Sequence, residues 1–209
     1  MAEPIETLSG DRTLELPEFD DPPADPLPLL ERWLRLADER GGREPRALAL
    51  ATADAEGRPS SRILLLKQVT PALVFAGSYE SRKGQELAAN PRAAGTLYWR
   101  ETLQQMTVEG PVRKLTEQES DAIFGERPPD AQATTVASSQ GAPLEDPEAL
   151  LQAADSLAGA DSLRRPARWG GWRLDPDLVE FWHGSPDRLH RRLLYVKGER
   201  GWEHQRLQP

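Results

Sequence analysis

The sequence predicts a mainly β protein with flanking helices, its strands forming an antiparallel sheet closed into a barrel. Three observations lead there. Strand signals follow one another through most of the chain, separated by short turns. Helical periodicity is confined to a few short segments between them. The chain also has no internal repeat and none of the GxGxxG, GxxxxGK or GxSxG patterns that announce nucleotide-binding or hydrolase α/β folds.

Residues 1–25 lack hydrophobic periodicity and hold eight acids against the single base Arg12. Residues 1–21 therefore read as a mobile acidic arm and 22–209 as the folded domain. In Pro22-Pro23-Ala24-Asp25-Pro26, Asp25 caps the next helix and Pro26 takes its first position. That helix runs to about Arg40 with Leu30, Trp33, Leu34 and Ala37 on one face, and Gly41-Gly42 stops it. Strands follow at Ala47–Thr52, Ser60–Lys67, Ala72–Ala76, Ala93–Trp99 and Gln104–Leu115, the first two joined by a turn at Ala55-Glu56-Gly57. Ser81 opens a short helix over Arg82–Ala89, closed by Asn90-Pro91. Thr116 and Glu119 form a capping box for a helix to about Phe124. Residues 125–145 read as irregular. Asp146-Pro147 opens another helix, with Leu150, Leu151, Ala154 and Leu157 on its inner side. Strands at Gly171–Leu174, Leu178–His183 and Leu193–Leu207 close the chain, the last broken at Gly198–Gly201.

Composition narrows the chemistry. The 209 residues carry a net charge of -8, but 26 acids and 25 bases nearly balance beyond residue 25, so no basic nucleic-acid surface is expected. Cysteine is absent, which excludes thiol nucleophiles, disulfides and thiolate metal sites. The three histidines, His183, His190 and His204, show no metal-ligand spacing, and no metal is expected. No apolar run is long enough to cross a membrane and the N-terminus does not read as a signal peptide, so the expected location is cytoplasmic.

Three segments could carry chemistry. In Ser81-Arg82-Lys83-Gly84, two cations occupy a first helical turn, where the macrodipole disfavours them by roughly 0.3–1 kcal/mol each. A bound phosphate would reverse that sign, although two solvated charges remain the simpler alternative. In Arg62-Ile63-Leu64-Leu65-Leu66-Lys67, cations bracket an apolar strand, and they can equally mark strand ends that reach solvent. Trp182-His183-Gly184 precedes Arg188-Leu189-His190-Arg191-Arg192, and in an extended chain Arg188, His190 and Arg192 share one face and would attract an anion. A basic surface strand is the alternative there.

These segments, with Asn90-Pro91-Arg92, Gln104-Gln105, Glu180-Phe181-Trp182 and the closing Arg206-Leu207-Gln208-Pro209, resemble the pyridoxamine 5'-phosphate oxidase family of FMN-dependent split-barrel proteins. The resemblance covers roughly Pro22 to Pro209. It implies a homodimer with FMN in two equivalent clefts between subunits. By matching position, Arg62, Ile63, Leu64, Leu65, Leu66 and Lys67 would line the flavin. Arg82 and Lys83 would hold its phosphate, and Ala76, Gly77, Gln105, Gln140, Trp182 and Arg192 would add contacts. Gly141 stands where the family usually has serine.

The substrate positions depart from the vitamin oxidases. Where those grip a phosphate with Lys, Tyr, Arg and Ser, this chain has Lys67, Ile123, Arg127 and Ala131, so both hydroxyls are replaced while both cations remain. That favours a carboxylated and more apolar substrate. Residues 46–54 (RALALATAD) and 97–105 (LYWRETLQQ) resemble the branch of flavin oxidases in phenazine biosynthesis. That branch implies oxidation of reduced phenazine carboxylates by dioxygen, with Arg188 and His190 orienting the substrate. The alternatives are a true pyridoxamine/pyridoxine 5'-phosphate oxidase and a flavin-binding module without catalysis.

Overall fold

Along β1 (Ala47–Ala53) leucine alternates with alanine, and the alternation decides which side is inside: Leu48 and Leu50 are fully buried while Ala47, Ala49 and Ala51 are half-exposed. The same period runs through β4 (Arg92–Trp99) and β5 (Gln104–Lys114), which bury Leu97, Trp99, Met106 and Val108. The protein is described by a computed structural model, which covers residues 10–209 apart from Arg12 and Asp161. Its other strands are β2 (Pro59–Leu65), β3 (Leu73–Ser78), β6 (Trp169–Leu174), β7 (Leu178–His183), β8 (Arg191–Gly198) and β9 (Gly201–Leu207). All pairings between them are antiparallel.

One long strand produces the architecture. β5 pairs with β7 over Gln104–Glu109 and then with β6 over Val112–Lys114. Gly110 sits at the changeover, where a Cβ would come within 2.2 Å of the Asp175 carbonyl oxygen, so only glycine permits the approach. From β5 one path returns through β6 and β3, whose Val74 is bridged to Gln68 just past β2, and then through β2, β1 and β4 back to β5. This closes a barrel. The other path, β7-β8-β9, branches off as a flap. The expected antiparallel split barrel is what the chain forms.

Helix α1 (Pro26–Glu39) packs its apolar face into the core. Asp25 caps it through the Leu27 amide (3.0 Å), and Leu30, Trp33, Leu34 and Ala37 are buried as expected. Trp33 meets Phe181 edge-on at 5.0 Å, joining α1 to β7. Helix α2 (Arg82–Ala89) matches its expected bounds, and α3 (Glu117–Gly125) carries the full Thr116/Glu119 capping box.

Three expectations are corrected. The arm is not free over its described part: Leu14, Leu16 and Phe19 pack into the core, around a 3-10 turn at Pro17–Phe19. Glu18 is buried as well, accepting from the Trp33 indole and pairing with Arg32 at 2.5 Å. Its acidic neighbours Glu15, Asp20 and Asp21 face solvent, which is why composition alone concealed the buried residues. The expected arm also includes residues 1–9, which lie outside the described residues. Residues 125–145 are not wholly irregular, because Pro129–Ala137 form a helix, α4, whose prolines start it rather than break it. Finally, α5 (Pro147–Ala158) rests on α4 with no residue fully buried, and Leu151 is 60% exposed where an inner face was expected. Among the described residues no helix is long and apolar enough to cross a membrane.

Candidate active site

A cleft of about 310 Å³ opens beside the barrel, between β2, β3 and the helical connection α3–α4. β2 brings Arg62, Ile63 and Leu64 to it, β3 brings Ala76, Gly77 and Ser78, and α2 brings Lys83. Arg127, Thr135 and Gln140 enter from the α3–α4 side, and Arg168 and Trp169 from the start of β6. The cleft is cationic at several points, and each cation is held differently.

Lys83 is only 5% exposed. Its ammonium donates to the Ser81 hydroxyl (3.1 Å) and lies 5.3 Å from the Trp172 ring centre. Burial, followed by repulsion from Arg62, brings its pKa down to about 8. Ser81 was expected to cap α2. It holds the N-cap position, but its hydroxyl turns to the Ser78 carbonyl (2.6 Å) and makes no cap hydrogen bond. The first amides of α2 are thus left without a side-chain cap, beside a buried ammonium.

Gly77 completes the cradle. A Cβ there would lie 2.6 Å from the Lys83 Nζ and 3.6 Å from the Gln140 Oε1. Gln140 Oε1 accepts from the Ser78 amide at 3.1 Å. The turn that carries Gln140 is tied down by Arg168, which donates to the carbonyls of Val136 and Ser138 at 2.8 Å each. Arg127 lies over the Trp169 ring (5.0 Å) and donates to the Ala131 carbonyl (3.1 Å) and the Thr135 hydroxyl (3.2 Å).

The cleft gathers Arg62, Ile63, Leu64, Ala76, Gly77 and Lys83, together with Gln140 and Arg127. It leaves out other expected residues. Leu66 points into the core, Leu65 is 52% exposed on the opposite face, and Lys67 is exposed beyond the strand end. Arg82 stands 69% exposed at the mouth, with its Nε on Glu86 at 2.8 Å. Ile123 and Ala131 are half-buried and do not line the cleft. Sequence reasoning missed Ser78, Thr135, Ser138, Arg168 and Trp169. Thr135 matters most, because one turn after Ala131 it restores a hydroxyl beside Arg127.

A second group lies on the open face of the sheet. Gln105 pairs with Trp182, and Trp182 with Arg192, so the three form one cross-strand row over β5, β7 and β8. Arg192 binds Glu180 with two hydrogen bonds, at 2.6 and 3.0 Å. His190 packs 4.9 Å from the Trp182 ring and accepts from the Ser185 amide at 3.0 Å. The expected strand alternation of Arg188 with His190 and Arg192 does not occur. β8 begins only at Arg191, and Arg188 sits in a turn with φ of +67°.

Comparison with known proteins places this geometry. The family model described as pyridoxamine 5'-phosphate oxidase matches residues 39–183. The chain belongs to that family. A second model, the C-terminal dimerisation region of pyridoxine 5'-phosphate oxidase, matches residues 169–209, which span β6 to β9. The protein is thus a flavin-dependent oxidoreductase of this family. It is 45% identical to a dihydrophenazinedicarboxylate synthase of Burkholderia lata, over 98% of each chain. It is 44% identical to a pyridoxine/pyridoxamine 5'-phosphate oxidase of Paraburkholderia phymatum, over 92% of each chain. The crystal structure of PhzG from Burkholderia lata, in complex with tetrahydrophenazine-1-carboxylic acid, superposes with a TM-score of 0.91 at 44% identity, covering 94% of this chain and 98% of that one.

Proposed function

We propose that the protein is an FMN-dependent oxidase that aromatises reduced phenazine carboxylic acids, with dioxygen as electron acceptor. Overall identity does not separate the two activities, since relatives of both kinds stand at 44–45%. The observation that carries the reading is the α3–α4 corner. Arg127 is retained there, while Ile123 and Ala131 stand where the vitamin oxidases place their phosphate-binding hydroxyls. With those two hydroxyls replaced and Thr135 the hydroxyl that Arg127 bonds, the corner offers fewer donors and suits a carboxylate on a broad aromatic ring better than a phosphate monoester, whose extra oxygens need extra donors. The likeness to a structure solved with tetrahydrophenazine-1-carboxylic acid agrees with this.

The residues present fit FMN. Buried Lys83, the uncapped start of α2 and the Gly77 cradle suit its phosphate, with Arg62 beside them and Arg82 at the mouth. FMN would supply the two-electron chemistry, with hydrogen peroxide as the product of dioxygen. The protein's part is binding and orientation. Arg127 attracts the carboxylate, and Arg188 and His190 orient the ring system.

Two subunits are needed for one site. The Gln105–Trp182–Arg192 row lies three to five strands from Arg62 along the sheet, roughly 15–24 Å at the usual strand spacing. One flavin touching both sets must take the second from a partner chain. Ile63, Leu65, Tyr98 and Val196 are 44–68% exposed on the sheet, an apolar surface that a homodimer would cover. The test is oxygen uptake by the FMN-loaded protein with reduced phenazine carboxylate and with pyridoxine 5'-phosphate. Rapid uptake with the first supports the proposal. A clear preference for the second hands the assignment to the vitamin oxidase.

A further inference from the structure

Glu86 faces inward from α2 and is 5% exposed, yet it does not line the cleft. Its Oε2 accepts from the hydroxyls of Thr52 (2.5 Å) and Ser60 (2.6 Å), which are cross-strand partners on β1 and β2. The same two hydroxyls accept from Arg62, Nη1 reaching Thr52 at 2.5 Å and Nη2 reaching Ser60. Arg62 Nη2 is also 3.4 Å from Glu86 Oε2. The remaining carboxylate oxygen, Oε1, accepts from Arg82 Nε at 2.8 Å.

The directions of these bonds are fixed. A guanidinium can only donate and a carboxylate can only accept, so each hydroxyl must accept from Arg62 and give its one proton to Glu86. Replacing either end leaves the hydroxyls free to rotate. Burial raises the Glu86 pKa, but the Ser60 and Thr52 hydroxyls and Arg82 outweigh it and hold the group near 2, so it stays ionised.

We propose that Glu86 is a positioning residue for the cofactor phosphate, aiming Arg62 from the strand side and Arg82 from the helix side with one carboxylate. The proposal rests on the FMN reading above. Helix energetics alone would not select this pair, because an Arg in the first turn with Glu four residues later is the less favourable orientation on both the pair and the dipole. With Glu86 present, Arg62, Arg82 and Lys83 carry a net charge of +2 as a group, the complement of a phosphate monoester dianion. Without it the group would be more positive but unaimed.

Aim and net charge therefore predict opposite results, which makes the proposal testable. The full chain is stripped of flavin, and dissociation constants for FMN and riboflavin are measured by fluorescence quenching in the wild type, Glu86→Gln and Glu86→Ala. Glu86→Ala is expected to weaken FMN by about 10- to 100-fold and riboflavin by no more than about threefold, the loss of one charge-assisted contact. Glu86→Gln keeps an oxygen for the hydroxyls and turns a donor toward Arg82, so its loss for FMN should be smaller but in the same direction. Should Glu86→Ala fail to fold, the isosteric Gln variant decides. Tighter FMN binding by Glu86→Gln would overturn the proposal, since net charge would then outweigh aim. Equal weakening of both flavins would overturn it too, leaving Glu86 a role in the fold only. A wild type that does not prefer FMN to riboflavin would instead refute the FMN reading on which the proposal stands.

Discussion

Replacing Lys83 with methionine should make the cofactor-free protein more stable and the cofactor harder to hold. The ammonium is 5% exposed, and its pKa falls from 10.5 to about 8. At neutral pH the lysine is charged in both folded and unfolded chains, so the shift is a cost to folding. At 1.36 kcal/mol per unit it amounts to about 3 kcal/mol. The cost is fully present below pH 8 and fades as pH rises from 8 towards 10.5, where the folded state has lost the proton and the unfolded state has not. Wild-type cofactor-free protein should therefore gain stability over that range, and Lys83→Met should not. At pH 7 the variant should melt about 6–12 °C higher for a gain of that size in a domain of this length.

Binding should move the other way. A phosphate dianion beside Lys83 holds its proton on, so above pH 8 FMN must bring a proton with it. The wild-type dissociation constant should then rise by up to tenfold per pH unit, while that for riboflavin stays flat. In Lys83→Met the pH dependence should vanish, and FMN should bind about 10- to 100-fold more weakly at pH 7. The assays are thermal melts of stripped protein and flavin titrations from pH 7 to 10. A less stable Lys83→Met variant at pH 7 would show that the buried ammonium is no cost to folding, and equal weakening of FMN and riboflavin would show that Lys83 does not meet the phosphate.

Three further predictions follow from other parts of the molecule. Phe19→Ala should cost about 3–5 kcal/mol of stability, read by urea denaturation, because Phe19 is fully buried against Trp33 (6.1 Å between ring centres); flavin affinity measured well below the melting point should be unchanged. His183 is held near pKa 4 by burial and the Arg191 guanidinium, against the pull of Asp11. It stays neutral in the fold while the unfolded chain takes a proton, so about 3 kcal/mol of stability should be lost as pH falls from 6.5 to 4, and His183→Gln should flatten that slope. The double change Ile123→Tyr with Ala131→Ser should improve pyridoxine 5'-phosphate kcat/KM by about five- to a hundredfold and lower turnover of a tricyclic carboxylate, compared at equal FMN occupancy.

Local chemistry made much of this molecule legible. Period-two alternation located the strands, and Asp25-Pro26 and Thr116/Glu119 marked helix starts that the structure reproduces. The cations at the start of α2 drew attention to that turn, and Lys83 is buried in the cleft wall there. What stayed hidden depends on contacts distant in sequence. Leu14, Leu16 and Phe19 could be read as core only by knowing that Trp33 and Phe181 wait beneath them, since their acidic neighbours dominate any local average. Arg168 and Thr135 carry no local signal, because their partners come from other parts of the chain or from within a helix that follows two prolines. Glu86 did offer one, its spacing of four from Arg82. That spacing alone describes an ordinary surface pair, and only the strand hydroxyls of Thr52 and Ser60 turn it into a buried link to Arg62. The strand alternation of β1 and β2 makes that link possible, because Thr52 and Ser60 are set opposite each other by the same register that brings Arg62 opposite Leu50. A one-residue slip of that hairpin would turn Arg62 to the other face and break the link, so the register that fixes the barrel also fixes the cation.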